Sequence, residues 1–171
     1  MKDVERLFRE YHDPLVRYLT RRLGDRDWAE EVAQETFVRA LRQNELQNER
    51  AWLFAVATNL VRDEARKDAR RRRHLELLSA EAKAESVVQP TNELERAEER
   101  ALARRAIDAL TERDREALLM REEGLDYNEI AEALQLSLAS VGTTLSRARR
   151  RLVEVYETLR AEADGQHKAG A

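Results

Sequence analysis

The sequence predicts an all-α protein: two small helical domains, a three-helix domain and a helix-turn-helix domain, joined by a flexible linker. Three observations carry that expectation. Apolar residues return at helical spacing through most of the 171-residue chain. Composition agrees, with 38% charged and 5% aromatic residues and only 5 glycines and 2 prolines to break helices. The rhythm lapses over one long stretch, Leu75 to Asn92, which leaves two groups of roughly 70 residues, each small enough to have limited stability alone.

The first helix is expected from Val4 to Leu23, where Val4, Leu7, Phe8, Tyr11, Leu15, Leu19 and Leu23 form one apolar stripe. Pro14 lies inside it and is a place for a kink or a division, because proline lacks the backbone donor and crowds the preceding turn. Gly24–Asp25–Arg26–Asp27 reads as a turn, with Asp27 as N-cap of a second helix from Trp28 to about Arg42. In that helix Ala29, Val32, Ala33, Thr36, Phe37, Ala40 and Leu41 face inward. Glu30, Glu31, Gln34, Glu35 and Arg39 face outward, which by itself describes a solvated surface.

Gln43 to Arg50 is a polar loop, and a third helix from Ala51 to about Arg73 buries Leu53, Val56, Ala57 and Leu60. Asn59 is a poor helix former within it and suits a surface position or a side chain bonded to nearby backbone. The helix ends in Arg66, Lys67, Arg70, Arg71, Arg72 and Arg73; from Asn59 to His74 there are seven basic and three acidic side chains. That excess is more than the helix dipole calls for, so a polyanion is the better explanation.

Leu75 to Asn92 is net acidic, contains Pro90 and reads as a linker. Helical rhythm resumes at Leu94, Ala97, Ala101, Ile107 and Leu110. Thr111 is the expected cap of the next helix, with Asp114 giving it a capping-box shape, and Gly124 is the expected left-handed stop. Asp126 to Leu152 then reads as two short helices and a tight turn. Asp126 and Glu129 form a capping box, Ile130, Ala131 and Leu134 share a face, and Ser137 caps the second helix. Val141, Leu145, Ala148 and Leu152 make its apolar stripe. Opposite them lie Ser140, Thr143, Thr144, Ser146 and Arg147, followed by Arg149, Arg150 and Arg151, with no acidic residue from Leu138 to Leu152. Short polar side chains allow close approach to a major groove, and the arginines reach bases or phosphates, as in a helix-turn-helix recognition helix. A helical hairpin with a solvated basic face is the alternative. The last residues, ADGQHKAGA, are expected to fray.

A net charge of −3 does not point to nucleic acid, but clustered arginines mean that the sum hides basic patches. Without cysteine there is no disulfide, thiolate chemistry or cysteine-based metal site. His12, His74 and His167 are scattered, no carboxylate–histidine pair has metal-ligand spacing, and no glycine-rich phosphate loop exists. The expectation is a protein with no catalytic residues, metal or cofactor. No apolar run approaches membrane-spanning length and the N-terminus is not a signal peptide, so a cytoplasmic protein without membrane insertion is expected.

Three stretches together resemble a known family: WAEEVAQETFVRAL, AWLFAVATNLVRDEARK and ALTERDREALLMREEGLDYNEIAEALQLSLASVGTTLSRARRRL. In order and spacing they are similar to the extracytoplasmic-function group of the sigma-70 family, bacterial transcription initiation factors built from that family's second and fourth conserved domains. The resemblance runs from Val4 to about Leu159. It implies a region-2-like domain at 1–74, an acidic linker at 75–92, a region-4-like helix-turn-helix domain at 93–160 and a tail at 161–171. It implies core RNA polymerase as partner, through the β′ clamp helices and the β flap, together with promoter DNA and an anti-sigma factor.

The resemblance also assigns residues. Gln34 and Glu35, with Arg39 and Leu41 nearby, match the surface that docks on the β′ clamp helices, which replaces the solvated-face reading. The loop at 43–50 and the third helix match the part that reads and melts the minus-ten element, with an unpaired base flipped into a pocket beside the loop. Asn59 would contact a base edge there, and Arg62, Arg66, Lys67 and Arg70 would hold phosphates. Trp52 matches a core tryptophan. The linker would thread the channel that nascent RNA later occupies, or act as a solvated tether. Ser140, Thr143, Thr144, Arg147, Arg149 and Arg150 would contact the minus-thirty-five element. Two departures stand out: the family usually carries basic residues where this chain has Gly142 and Thr144, and Leu-Pro where it has Leu110–Thr111. The rival reading is an autonomous helix-turn-helix regulator that binds duplex DNA by itself.

Overall fold

The computed structural model describes residues 3–76 and 91–170; the side chains of 65–76 and of 91 are outside that description. The described residues form seven helices and no strand: α1 (Val4–Leu23), α2 (Arg26–Leu41), α3 (Glu49–Glu76), α4 (Thr91–Asp108), α5 (Glu112–Glu122), α6 (Tyr127–Leu134) and α7 (Leu138–Ala169). Most of the linker stretch, 77–90, lies outside the described residues.

Local chemistry sets most helix ends. Asp3 starts α1 by accepting from the Arg6 amide at 3.0 Å, and α1 then runs unbroken through Pro14. The expected kink or division is not made. Gly24 ends α1 at φ +76°, and a Cβ there would meet the Arg104 guanidinium at 3.0 Å, so glycine serves both the left-handed turn and the close approach. Asp25, not Asp27, caps α2 by accepting from the Trp28 amide at 3.1 Å, so α2 begins two residues earlier than the sequence pattern indicates. Thr111 accepts from the Asp114 amide at 3.3 Å. Asp126 and Glu129 close a reciprocal capping box on α6 at 2.8 and 3.0 Å. Ser137 starts α7, and Gln135 provides the left-handed turn between α6 and α7 at φ 55°. The expected frayed tail is instead helix: α7 continues to Ala169 and ends at Gly170.

One continuous core joins the two groups of helices. Leu7, Leu15, Leu19, Phe54 and Val61 from α1 and α3 belong to the same buried cluster as Met120, Ile130 and Leu145 from α5 to α7. Trp52 is half-buried against this cluster, which is the packing role its sequence match implies. Within it Tyr18 donates to or accepts from Thr58 at 2.7 Å, and burial pushes the phenol's pKa far up, so it stays protonated. α1 and α3 pack on α5 and α6, while α4 lies along α7. Leu41, expected inward, is 62% exposed at the end of α2.

Candidate nucleic-acid interface

α7 presents the cleaner surface. Val141, Leu145 and Ala148 are fully buried, which fixes the rotation of the helix. Ser140, Thr143, Ser146, Arg147, Arg149 and Arg150 are consequently exposed on its outer side. Thr144 is not among them. It is 4% exposed, one turn from Val141 and Ala148 on the packed side, so the expected DNA contact from Thr144 is corrected: an inward-facing threonine cannot reach a groove on the opposite face. The Ser140 hydroxyl lies 2.6 Å from the capping hydroxyl of Ser137, so it is tied to the start of the helix.

Arg147 is held by a residue far away in sequence. Its Nε and Nη2 donate to the two carboxylate oxygens of Asp114 at 3.0 and 2.6 Å. Asp114 is almost fully buried, whereas the Arg147 side chain is half exposed. A two-point charge-assisted pair of this kind fixes the plane of the guanidinium, and Asp114 raises the pKa of Arg147 through those bonds. Asp114 therefore anchors α7 instead of completing a second capping box.

α3 is placed differently. Asn59 is exposed near the middle of the helix. Arg62, expected on phosphates, turns toward α5 and donates from Nε and Nη2 to Glu116 at 3.1 and 2.5 Å, with Glu112 at 3.6 Å. In this arrangement it is not available to DNA. Glu116 has no exposed side-chain surface and also lies 3.6 Å from Arg22. Burial pushes its carboxyl above the ordinary range, while Arg62 and Arg22 pull it back toward the charged form. Arg66, Lys67 and Arg70 sit on helical backbone, and their side chains are outside the described residues.

The pairing extends along the whole seam. Arg17 and Arg21 reach Glu123 at 3.2 and 4.0 Å, and Arg22 reaches Glu112 at 3.2 Å. Arg50 grips Glu129 through two bonds of 2.6 and 2.5 Å, and Asn48 donates to Glu132 at 2.6 Å. Among the described residues, every ion pair across the seam puts arginine on α1 or α3 and glutamate on α5, on its C-cap Glu123 or on α6. In the other direction Arg104 of α4 caps the carbonyl end of α1 at Thr20, Arg21 and Arg22.

Residues 7–71 match the family Sigma-70 region 2, and residues 100–152 match Sigma-70, region 4. The RNA polymerase sigma factor YlaC of Bacillus subtilis is 33% identical over 157 residues, covering 87% of this chain and 89% of that protein. The ECF RNA polymerase sigma factor SigM of the same organism is 28% identical over 157 residues, covering 90% and 94%. The chain belongs to the sigma-70 family, in its extracytoplasmic-function group. The fold is also that of a solved structure, the sigma factor RpoE of Bartonella quintana in complex with the anti-sigma factor NepR. Its TM-score is 0.61 at 23% identity, covering 92% of this chain and 98% of that one.

Within this sigma factor, Gln34, Glu35 and Arg39 share the exposed side of α2, with Arg39 donating to Glu35 at 3.1 Å. The exposed Leu41 continues that surface. Gly142 is half-exposed, and a Cβ there would sit 3.8 Å from the Tyr127 ring, an ordinary contact. The sequence pattern misses Asp114 and the glutamate row. One signal exists: Glu112, Glu116 and Glu123 are spaced by 4 and 7 residues, a single helical face. Among the described residues no group of side chains could hold a metal ion, and no helix is long and apolar enough to cross a membrane.

Proposed function

We propose that this sigma factor docks on core RNA polymerase through Gln34, Glu35 and Arg39, reads the minus-ten element with α3 and the minus-thirty-five element with α7, and so directs initiation to specific promoters. The β′ clamp helices take the α2 surface, and the β flap takes the region-4-like part. Residues 1–74 and 93–160 act as two functional units, 75–92 as the acidic connection between them and 161–171 as the tail. Asn59 contacts a base edge, and Arg62, Arg66, Lys67 and Arg70 hold phosphates once Arg62 is released from Glu116. Ser140, Thr143, Arg147, Arg149 and Arg150 form the α7 contact. An anti-sigma factor is the expected regulator, as for the Bartonella quintana relative crystallised with one. The chain works in the cytoplasm and contributes specificity, not catalysis.

The observation that carries this reading is the presence of both family regions, in order, with exposed polar and basic residues on the recognition helix of the second. The test compares the chain with and without core polymerase. Alone it should bind promoter duplex weakly, because two separate short sites gain avidity only when something holds them at the right separation. With core polymerase, binding should become tight and sequence-selective, with melting near the minus-ten element. Gln34→Ala with Glu35→Ala should abolish that gain without unfolding the chain, since both side chains are exposed. Specific nanomolar binding by the chain alone at physiological salt would favour an autonomous regulator.

A further inference from the structure

The first turns of α7 lack the side chains that usually distinguish bases. From Leu138 to Ser146 there is no Arg, Lys, Asn, Gln, Asp or Glu. Those are the residue types whose donors and acceptors match the major-groove edges of guanine, adenine and cytosine. What the structure exposes there is mostly carbon. Leu138 is 52% exposed at the start of the helix, and Ala139 and Thr143 are exposed with it. Gly142 adds no side chain, and Thr144 is turned into the core. The Ser140 hydroxyl is engaged with the capping hydroxyl of Ser137 at 2.6 Å. Arg121, the cation at the end of α5, is directed elsewhere: it donates to the Leu125 carbonyl at 2.9 Å and lies 5.6 Å from the centre of the Tyr127 ring.

We propose that this end of α7 reads thymine by its methyl group, so that the minus-thirty-five element of this sigma factor has T·A pairs opposite Leu138, Ala139 and Thr143. The residues at the start of a recognition helix are the ones that reach base edges. The C5-methyl of thymine is the apolar group on those edges, and alanine, the threonine methyl and other carbon surfaces are what pack on it. Guanine asks instead for two donors on O6 and N7, which the first turns of α7 do not have. Such donors begin at Arg147, whose guanidinium is oriented by Asp114 through bonds of 3.0 and 2.6 Å. At 1.5 Å per residue, Leu138 and Arg147 are roughly 14 Å apart along the helix, about four base-pair steps of 3.4 Å. Any guanine in the element therefore lies about that far from the thymines, opposite Arg147, Arg149 and Arg150. The inference rests on α7 being the minus-thirty-five reader and adds which bases it selects and by which atoms.

The test uses the full chain assembled with core RNA polymerase. Duplexes randomised over both promoter elements are selected for binding, and the upstream element recovered should contain adjacent T·A pairs. Each thymine in it is then replaced by deoxyuridine, which removes the methyl group and leaves base pairing intact. Because the protein is unaltered in this step, folding is not in question. Binding should weaken about fourfold for each methyl removed opposite the start of α7, the fold-change expected for one buried methyl group. Thr143→Val keeps the methyl and loses the hydroxyl, so it should preserve the response to deoxyuridine. Thr143→Ser should abolish that response at one position and Leu138→Ala at another. Selected T·A pairs that tolerate deoxyuridine without loss would overturn the proposal, since the duplex would then be recognised by its shape. Guanine selected opposite Leu138 and Thr143 would also overturn it. So would an unchanged deoxyuridine response in both Leu138→Ala and Thr143→Ser, which would leave the exposed leucine for a protein partner. In each of these cases core-dependent promoter selection itself still stands. Failure to select any upstream element with core polymerase would overturn the proposal together with the role of α7 on which it rests.

Discussion

The two basic helices of this sigma factor, α3 and α7, look alike in sequence and are used differently in the structure. Both carry arginines on one side and an apolar stripe on the other. On α7 the arginine side faces outward, and Arg147, gripped from α5, is half exposed and fixed in orientation by Asp114. On α3 Arg62 is turned inward onto a fully buried glutamate. An arginine on a helix face thus says only that an anion is wanted. Which anion is decided by what packs opposite, here a carboxylate 54 residues away in the chain.

That difference is sharpest at Glu116, where the largest effect is expected. Arg62→Ala would leave a buried carboxylate with Arg22 alone at 3.6 Å. Breaking a buried pair from one side costs about 3 kcal/mol or more, because the remaining charge stays desolvated. Urea unfolding should show that loss for Arg62→Ala, and Glu116→Gln added to it should recover part, since the buried charge is then gone. A loss no greater than the roughly 0.5 kcal/mol of an ordinary surface substitution would mean that Glu116 is not buried against Arg62 in solution.

On α7 the corresponding test is Asp114→Asn. It removes one side of a charge-assisted pair and should cost about 1–2 kcal/mol of stability. It should also lower affinity for a minus-thirty-five duplex, because Arg147 loses its fixed orientation. Removing a negative charge would by itself strengthen DNA binding, so the sign of the change in a fluorescence-anisotropy titration discriminates. Increased affinity would show that Asp114 restrains Arg147 from DNA instead of aiming it.

Local signals in the sequence were enough for the helices and their caps. Thr111, Asp126 with Glu129, Ser137, Gly24 and Gly124 all act near their own positions, and apolar spacing fixes which face of α6 and α7 is buried. Errors arise where a neighbour distant in sequence competes. Thr144 looks polar and therefore outward, yet lies on the side that packs. Asp114 looks like a capping-box partner, yet is taken by Arg147. Leu41 looks like core, but α2 ends there before anything covers it. The seam is the extreme case. Its arginines and glutamates each fit an ordinary solvated face, and only the packing of α1 and α3 on α5 and α6 pairs them.

A smaller effect concerns pH at the outer edge of the seam. Hydrogen bonds from Arg50 hold the Glu129 carboxyl below its usual range. A carboxylate with a depressed folded pKa stabilises the folded chain fully at pH above the ordinary glutamate value. That contribution is lost as pH falls through the lower folded value. Stability measured by urea unfolding should therefore decline on acidification below about pH 4, and the decline should be shallower in Glu129→Gln, which keeps the capping geometry without the titration. Identical acid profiles for the two proteins would assign the loss to other carboxylates.

The smallest effect returns to α7 and to the one position where a basic residue is usual and glycine stands. Gly142 lies inside a helix, where glycine costs about 1 kcal/mol relative to alanine through backbone entropy. Nothing in the packing requires it: an added Cβ would meet only the Tyr127 ring, at an ordinary 3.8 Å. Gly142→Ala should therefore raise stability by somewhat under 1 kcal/mol and leave duplex affinity unchanged. Gly142→Lys should raise both, with the salt slope steepening by about 0.9 for the one new phosphate contact. Because the two variants add the same Cβ, a difference between them isolates the ammonium from the backbone effect. If Gly142→Ala already weakened DNA binding while stabilising the fold, the backbone of α7 would have to approach DNA too closely for any side chain, and the glycine would then be a determinant of the promoter this sigma factor selects.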